Sequence, residues 1–190
     1  MLRKLGSKAT IVSDPHKMNR IDKAILPGVG SFNHGMKKIR QLGFHEILHH
    51  FAKNKKRPIL GICLGMQLLT DGSEEGDTDG FGWIKGRTVR FGGLCNRKGL
   101  KVPHMGWNTV SPSNHHALFN DIDSNTELRF YFCHSYYVQC DNDQSVIGKT
   151  DYGHEFASMI CEDNIIGVQF HPEKSHKHGL KLLKNFVENC

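Results

Sequence analysis

No stretch of this chain approaches the ~18 uninterrupted apolar residues of a membrane span. Its opening, MLRKLGSKAT, lacks the apolar centre of a secretory signal. The expectation is a soluble, cytoplasmic protein. No two of the six cysteines, Cys63, Cys95, Cys133, Cys140, Cys161 and Cys190, form a CxxC pair. That argues against a zinc knuckle or a thioredoxin-type motif. With 190 residues the chain can bury a core without staples, so the cysteines read as reduced thiols. Internal repeats and low-complexity segments are absent. Acid is scarce too, with 25 lysines and arginines against 19 aspartates and glutamates. The densest basic run, Lys53-Asn54-Lys55-Lys56-Arg57, has no interleaved aromatics. It falls where a helix should end, where cations are favoured anyway. Nucleic acid is therefore set aside, and an anionic small substrate or acidic partner is the better use of the charge.

What is present reads as one domain over residues 1–190. Short apolar runs at Ala9–Val12, Ala24–Leu26 and Ile59–Ile62 predict strands buried on both faces of a parallel sheet. Helical patterns lie between them, from Gly35 to Leu42 and from Phe44 to Lys53. From Asp71 to Gly80 the chain turns acidic and glycine-rich, as a surface loop does. β-rich segments follow: Thr88–Phe91, Leu128–Cys133, Tyr136–Cys140, Ser145–Thr150, Phe156–Cys161 and Ile165–Phe170. A helix from Ser175 to Glu188 closes the chain, with Leu180, Leu183 and Val187 on one stripe.

Three segments carry chemistry. Gly61-Ile62-Cys63-Leu64-Gly65 places a cysteine between glycines where an apolar strand gives way to an apolar helix. This is the form of a nucleophile elbow, in which a tight turn exposes the reacting atom. The helix starting at Leu64 points its free N–H groups at the sulfur, favouring thiolate and offering one amide to an oxyanion. The bland reading is a small core cysteine closing a strand. The second segment, Gly167 to Glu173, is a strand ending in His-Pro-Glu. Period two puts Ile166, Val168 and Phe170 on one face, with His171 and Glu173 towards the other. A carboxylate two residues on can hold the second imidazole nitrogen. Among thirteen histidines such a pair alone is weak; others, as in His49-His50 and His115-His116, read as solvated. In the third segment, Gly28-Val29-Gly30 follows a strand and can present bare amides to a ligand. It lacks the spacing of a nucleotide-binding loop.

Taken jointly, LPGVGSF (26–32), GICLGMQLL (61–69), KVPHMGWN (101–108), YFCHSYYV (131–138), GVQFHPEKS (167–175) and GLKLLKNF (179–186) resemble the class I, or triad, glutamine amidotransferases. Within them the match is to the glutaminase subunits of imidazole glycerol phosphate synthase. The resemblance implies an α/β, flavodoxin-like fold with a mostly parallel central sheet flanked by helices and a β-rich second half. It implies that Cys63 attacks the carboxamide of glutamine, assisted by His171, which Glu173 orients. The oxyanion falls to the amides of Leu64 and of the Val29–Gly30 loop. Gly28, Gly30, Gln67, His134, Ser135 and Tyr136 match substrate-binding positions. Met105, Trp107 and Lys174 match positions facing a (β/α)8-barrel cyclase partner that receives the ammonia in a heterodimer. No cofactor or metal is implied.

The chain departs from the family at its beginning. Relatives open with an apolar strand and a Tyr-Gly-x-Gly-Asn-type turn; here Met1 to Gly6 matches the helix that follows. The expectation is an N-terminally shortened domain lacking a central strand, with Lys8–Val12 as the second strand. Three alternatives stay open: ammonia supplied to a sugar-amidating enzyme of surface-carbohydrate synthesis, a hydrolase acting alone on γ-glutamyl compounds or peptides, and an inactive binding module.

Overall fold

Two short apolar runs, Ala24–Gly28 (β1) and Ile59–Cys63 (β2), lie side by side in parallel, with Gly28 opposite Cys63. The computed structural model describes residues 1–92, 95, 99–112, 116–123 and 126–190. Between the two strands run helices Phe32–Gln41 (α1) and Phe44–His49 (α2), the latter continuing through a wider turn over His50–Asn54. After β2 come a short helix, Leu64–Leu68 (α3), and strands Gly72–Ser73 (β3) and Gly86–Arg90 (β4). Strands His104–Pro112 (β5), Leu128–His134 (β6) and Tyr136–Cys140 (β7) follow. The chain ends with Val146–Asp151 (β8), Glu155–Glu162 (β9), Ile165–Val168 (β10) and the helix His176–Asn189 (α4).

The sheet runs β1-β2-β10-β9-β7-β4-β3, with β5 joining β6 and β8, and β8 joining β9. Parallel order is confined to β1-β2-β10 and to β3-β4. The remaining pairings are antiparallel, so the sheet is mixed rather than mostly parallel. One cause is connection length: the links at residues 152–154 between β8 and β9 and at residues 163–164 between β9 and β10 are too short to carry a crossover, whereas helical connections can.

Side-chain alternation along the central strands divides the core. Ile59, Ile160 and Ile165 pack with Phe32, Met36 and Met66 on one face. Leu60, Ile62, Ile166, Val168 and Phe170 pack with Phe130, Phe132, Leu183 and Phe186 on the other. That second set bears out the period-two reading of the Gly167–Glu173 segment.

Lys8–Val12 is not a strand. It runs as irregular backbone, with Ile11 99% exposed. It does not pair with β1, whose outer edge carries no strand among the described residues. The acidic segment after Asp71 is not a free surface loop either. Gly72 and Ser73 pair with β4, and the Glu75 carboxylate accepts the Phe32 N–H at 2.7 Å, which starts α1 three residues before Gly35. β5 is a strand that the sequence reading left unassigned. Among the described residues no helix is long and apolar enough to cross a membrane.

Candidate active site

Cys63 closes β2 with φ 54° and ψ −109°, a backbone conformation that non-glycine residues rarely adopt. The flanking glycines explain how the turn closes. A Cβ on Gly65 would lie 1.8 Å from the Leu26 carbonyl oxygen, and one on Gly61 would lie 2.6 Å from the Gly65 oxygen. The turn therefore folds flat onto its own helix and onto β1, and any side chain there would prise it open. Strain held at a residue fixed this firmly fits a functional turn, although the turn does not expose the thiol as expected: Cys63 is only 7% exposed. The helix it opens, α3, is only five residues long, so backbone amides near the sulfur count for more than a long macrodipole.

His171 follows β10 by three residues, and the parallel register carries it past the end of β2 beside Cys63. The carboxyl ends of β1, β2 and β10 thus converge, the usual place for a ligand crevice in parallel sheets. The His171 ring lies beside the Cys63 sulfur, close enough for the two to influence each other's charge. Its Nδ1–H donates to Glu173 Oε1 at 2.7 Å. The segment is pinned from behind: the His171 amide donates to the Tyr131 carbonyl at 2.8 Å, and Ser175 Oγ donates to the His171 carbonyl at 2.6 Å. The nearby Cys63 sulfur first, and then the bond to Glu173, raise the imidazole pKa to about 9 against the effect of burial. His171 is therefore an imidazolium at neutral pH. Burial works against ionisation of Glu173, but the His171 bond, backbone and Lys174 outweigh it and hold its carboxyl below the ordinary range.

Gly28 lies opposite Cys63, and a Cβ there would stand 2.9 Å from the Leu64 Cβ. Beyond it the loop opens, with Val29 81% exposed and Gly30 at φ +99°. Gln67 is buried under the crevice. Its Nε2 donates to the Tyr136 carbonyl at 3.0 Å and to Gln169 Oε1 at 3.2 Å. Ser135 and Tyr136 are half-buried at the turn between β6 and β7. His134 is brought there too, but its ring is committed inward. Nδ1–H donates to the Tyr136 carbonyl at 2.7 Å, which leaves Nε2 to accept from His104 Nδ1–H at 3.0 Å. Burial depresses both rings, His104 to about 4 and His134 to about 3, so both are neutral.

Met105, Trp107 and Lys174 form a separate face beside the site. Met105 is 60% and Trp107 41% exposed, two residues apart on one side of β5. The Trp107 ring stacks on His176 at 5.4 Å, and Lys174 Nζ stands 5.6 Å from the Tyr131 ring centroid. A hollow of about 550 Å3 opens next to Trp107, lined by Arg129, His176, Lys177 and His178.

The sequence reading missed Gln169 and His104. Gln169 is fully buried, and its Nε2–H donates to the Cys63 sulfur at 3.7 Å. The signal was there, since period two places residue 169 on the same side as residue 171. His104 lay inside a segment read only for its exposed neighbours. His49 and His50 are exposed, as expected, and only the second doublet was misjudged in part. His49 Nδ1 accepts the Trp83 indole N–H at 3.1 Å, and His116 caps the turn at Ala117–Phe119, while His115 lies outside the described residues.

Comparison with known proteins agrees on one family. The model for "Glutamine amidotransferase class-I" matches residues 1–190. Imidazole glycerol phosphate synthase subunit HisH 2 of Methanococcus maripaludis is 48% identical over 190 residues, spanning 100% of this chain and 92% of that one. The HisH subunit of Sulfurimonas denitrificans is 49% identical over 186 residues, spanning 97% and 88%. HisH 2 of Pseudomonas aeruginosa is 44% identical over 188 residues, spanning 99% and 91%. Among solved structures, a glutamine amidotransferase matches with TM-score 0.73 at 15% identity, covering 98% of this chain and 90% of that one. A Thermotoga maritima glutamine amidotransferase matches at 0.69 and 13% identity, covering 98% and 88%. These structural matches speak to the fold.

Proposed function

This chain belongs to the class-I glutamine amidotransferases, and we propose that it is the glutamine-hydrolysing subunit of an imidazole glycerol phosphate synthase. The observation that carries the chemistry is the 2.7 Å bond from His171 to Glu173 beside Cys63, at the ends of parallel strands. The Cys63 sulfur attacks the carboxamide carbon of glutamine, and the amides of Leu64 and of the Val29–Gly30 loop receive the oxyanion. The His171 imidazolium passes its proton to the departing nitrogen, and ammonia leaves a γ-glutamyl thioester. His171, now neutral, takes a proton from water, hydroxide attacks the thioester, and glutamate departs with the sulfur restored. Glu173 keeps the imidazole in one orientation throughout. Gly28, Gly30, Gln67, Ser135 and Tyr136 shape the glutamine site; His134 contributes by bracing the Tyr136 carbonyl.

Ammonia set free in neutral water is mostly protonated and no longer nucleophilic. The site therefore has to be covered by the enzyme that uses the ammonia. Met105, Trp107 and Lys174 offer the covering surface, and it adjoins the triad, since Tyr131 touches both Lys174 and the His171 amide. The occupant is a (β/α)8-barrel cyclase subunit. The test is glutamine-dependent synthesis with that partner, against synthesis from ammonium salt. Cys63→Ala must abolish the first and spare the second; a variant that keeps glutamine hydrolysis overturns the reading.

A further inference from the structure

The Cys63 sulfur has neighbours of opposite preference. The Cys133 carbonyl, 3.9 Å away, can only accept, and so favours a protonated S–H. Gln169 Nε2, 3.7 Å away, can only donate, and so favours a thiolate. The His171 imidazolium beside the sulfur also favours the thiolate. Which end of the Gln169 amide faces the sulfur decides whether this neighbour adds to that effect or opposes it. The amide cannot choose for itself, because either end fits the same space.

The surrounding bonds choose for it. The Tyr136 backbone carbonyl has no donor, so the Gln67 side chain must present its NH2 group there, at 3.0 Å. The same NH2 then donates at 3.2 Å to Gln169, whose near atom must be the carbonyl oxygen. The Gln169 NH2 is left pointing at the sulfur. The polarity of the chain is thus set by one backbone carbonyl, two side chains away from the reacting atom. That carbonyl is itself braced, since it also accepts from His134 Nδ1–H at 2.7 Å. Gln169 is held in place by its own backbone as well, its amide N–H donating to the Ser158 carbonyl at 2.9 Å. Its side chain is completely buried, so no water competes for the donor.

We propose that Gln169 is a further catalytic residue, whose amide N–H stabilises the Cys63 thiolate and whose direction is fixed by the Tyr136 carbonyl through Gln67. This rests on the glutaminase reading above. A consequence follows for coupling: a ligand that pulls Gln67 away from Tyr136 frees the Gln169 amide to turn, so substrate seating and nucleophile strength are linked.

The test reads the sulfur directly. Iodoacetamide alkylation of Cys63 is followed against pH by mass spectrometry, with neither glutamine nor partner present. Gln169→Met keeps the length and removes the donor. The expected result is about tenfold slower alkylation at pH 7, the effect of losing one hydrogen bond to a charged atom. The rate-against-pH curve shifts to higher pH and reaches an unchanged alkaline plateau. Gln169→Glu, which keeps shape and polarity in case the methionine variant fails to fold, shifts the curve further the same way. Gln67→Met, which loosens the amide without touching the sulfur, gives a smaller shift. A curve for Gln169→Met or Gln169→Glu that superimposes on the unmodified protein overturns the proposal. Failure of the unmodified protein to hydrolyse glutamine with its partner overturns the functional reading instead, and leaves the alkylation result standing.

Discussion

Gly65 passes so close beneath β1 that a Cβ on it would fall 1.8 Å from the Leu26 carbonyl oxygen. The obstacle is backbone on both sides, so it cannot turn aside as a side chain would. Gly65→Ala is expected to lower stability by about 3 kcal/mol or more, as overpacking against a rigid neighbour does. Denaturant unfolding measures it. A loss below about 1 kcal/mol would show that the turn is looser than this contact requires.

Cys63→Ala keeps the small size of the elbow residue while removing the sulfur. Glutamine hydrolysis should fall to background, with stability within about 1 kcal/mol of the parent. Synthesis from ammonium salt in the presence of the barrel partner should persist. Isothermal titration with the partner and a coupled glutamate assay check both halves.

The imidazolium form of His171 is lost as pH rises through about 9. Glutamine hydrolysis is expected to decline on that alkaline limb, with the slope of one proton. Because the folded-state value is raised, the stability this group contributes is complete below its ordinary range near 6.5 and is lost as pH rises through about 9. Glu173→Gln removes the second of the two supports named above, so the limb moves to lower pH while the Cys63 contact keeps it above 6.5. A pH–rate profile unchanged in Glu173→Gln would separate Glu173 from the proton chemistry.

His104 and His134 shift the other way, to about 4 and about 3, through burial. Below pH 6.5 the unfolded chain takes up protons that the folded rings refuse, so stability falls with pH until the folded values are reached. Each ring is worth on the order of a few kcal/mol over that interval, at roughly 1.4 kcal/mol per pKa unit. Urea unfolding at pH 7 and pH 5 should show the loss, and His104→Leu should lessen the dependence on pH while lowering stability at pH 7 by stranding His134 Nε2. An acid limb with no such dependence would count against the buried neutral pair.

Trp107 is 41% exposed and is held by aromatic contacts rather than enclosed in the core. Trp107→Ala should weaken association with the barrel partner at least tenfold and glutamine-dependent synthesis in proportion. The isolated subunit should unfold within about 1 kcal/mol of the parent. A variant that binds the partner unchanged would remove Trp107 from the covering surface.

Much of this was legible without coordinates because it is local. The glycines around Cys63, the two-residue step from His171 to Glu173, and the apolar alternation at Ile166, Val168 and Phe170 are patterns within a few residues of chain. Other features depend on neighbours far away in sequence. Lys8–Val12 has strand composition but no strand beside it, so composition could not decide its state. The segment after Asp71 looked like solvent loop because nothing near it announces that Glu75 caps a helix 43 residues earlier. His134 looked free for substrate, because its commitment to His104 is made across the β5–β6 pairing.

The order of residues alone singled out the sulfur, imidazole and carboxylate proposed for the reaction, because a strained turn and a strand end each need particular residues in immediate succession. Tertiary structure alone decided that Gln169 faces that sulfur with a donor, since an amide is symmetric in shape. Its direction came from a carbonyl at Tyr136, brought within reach only when β7 and β10 joined one sheet.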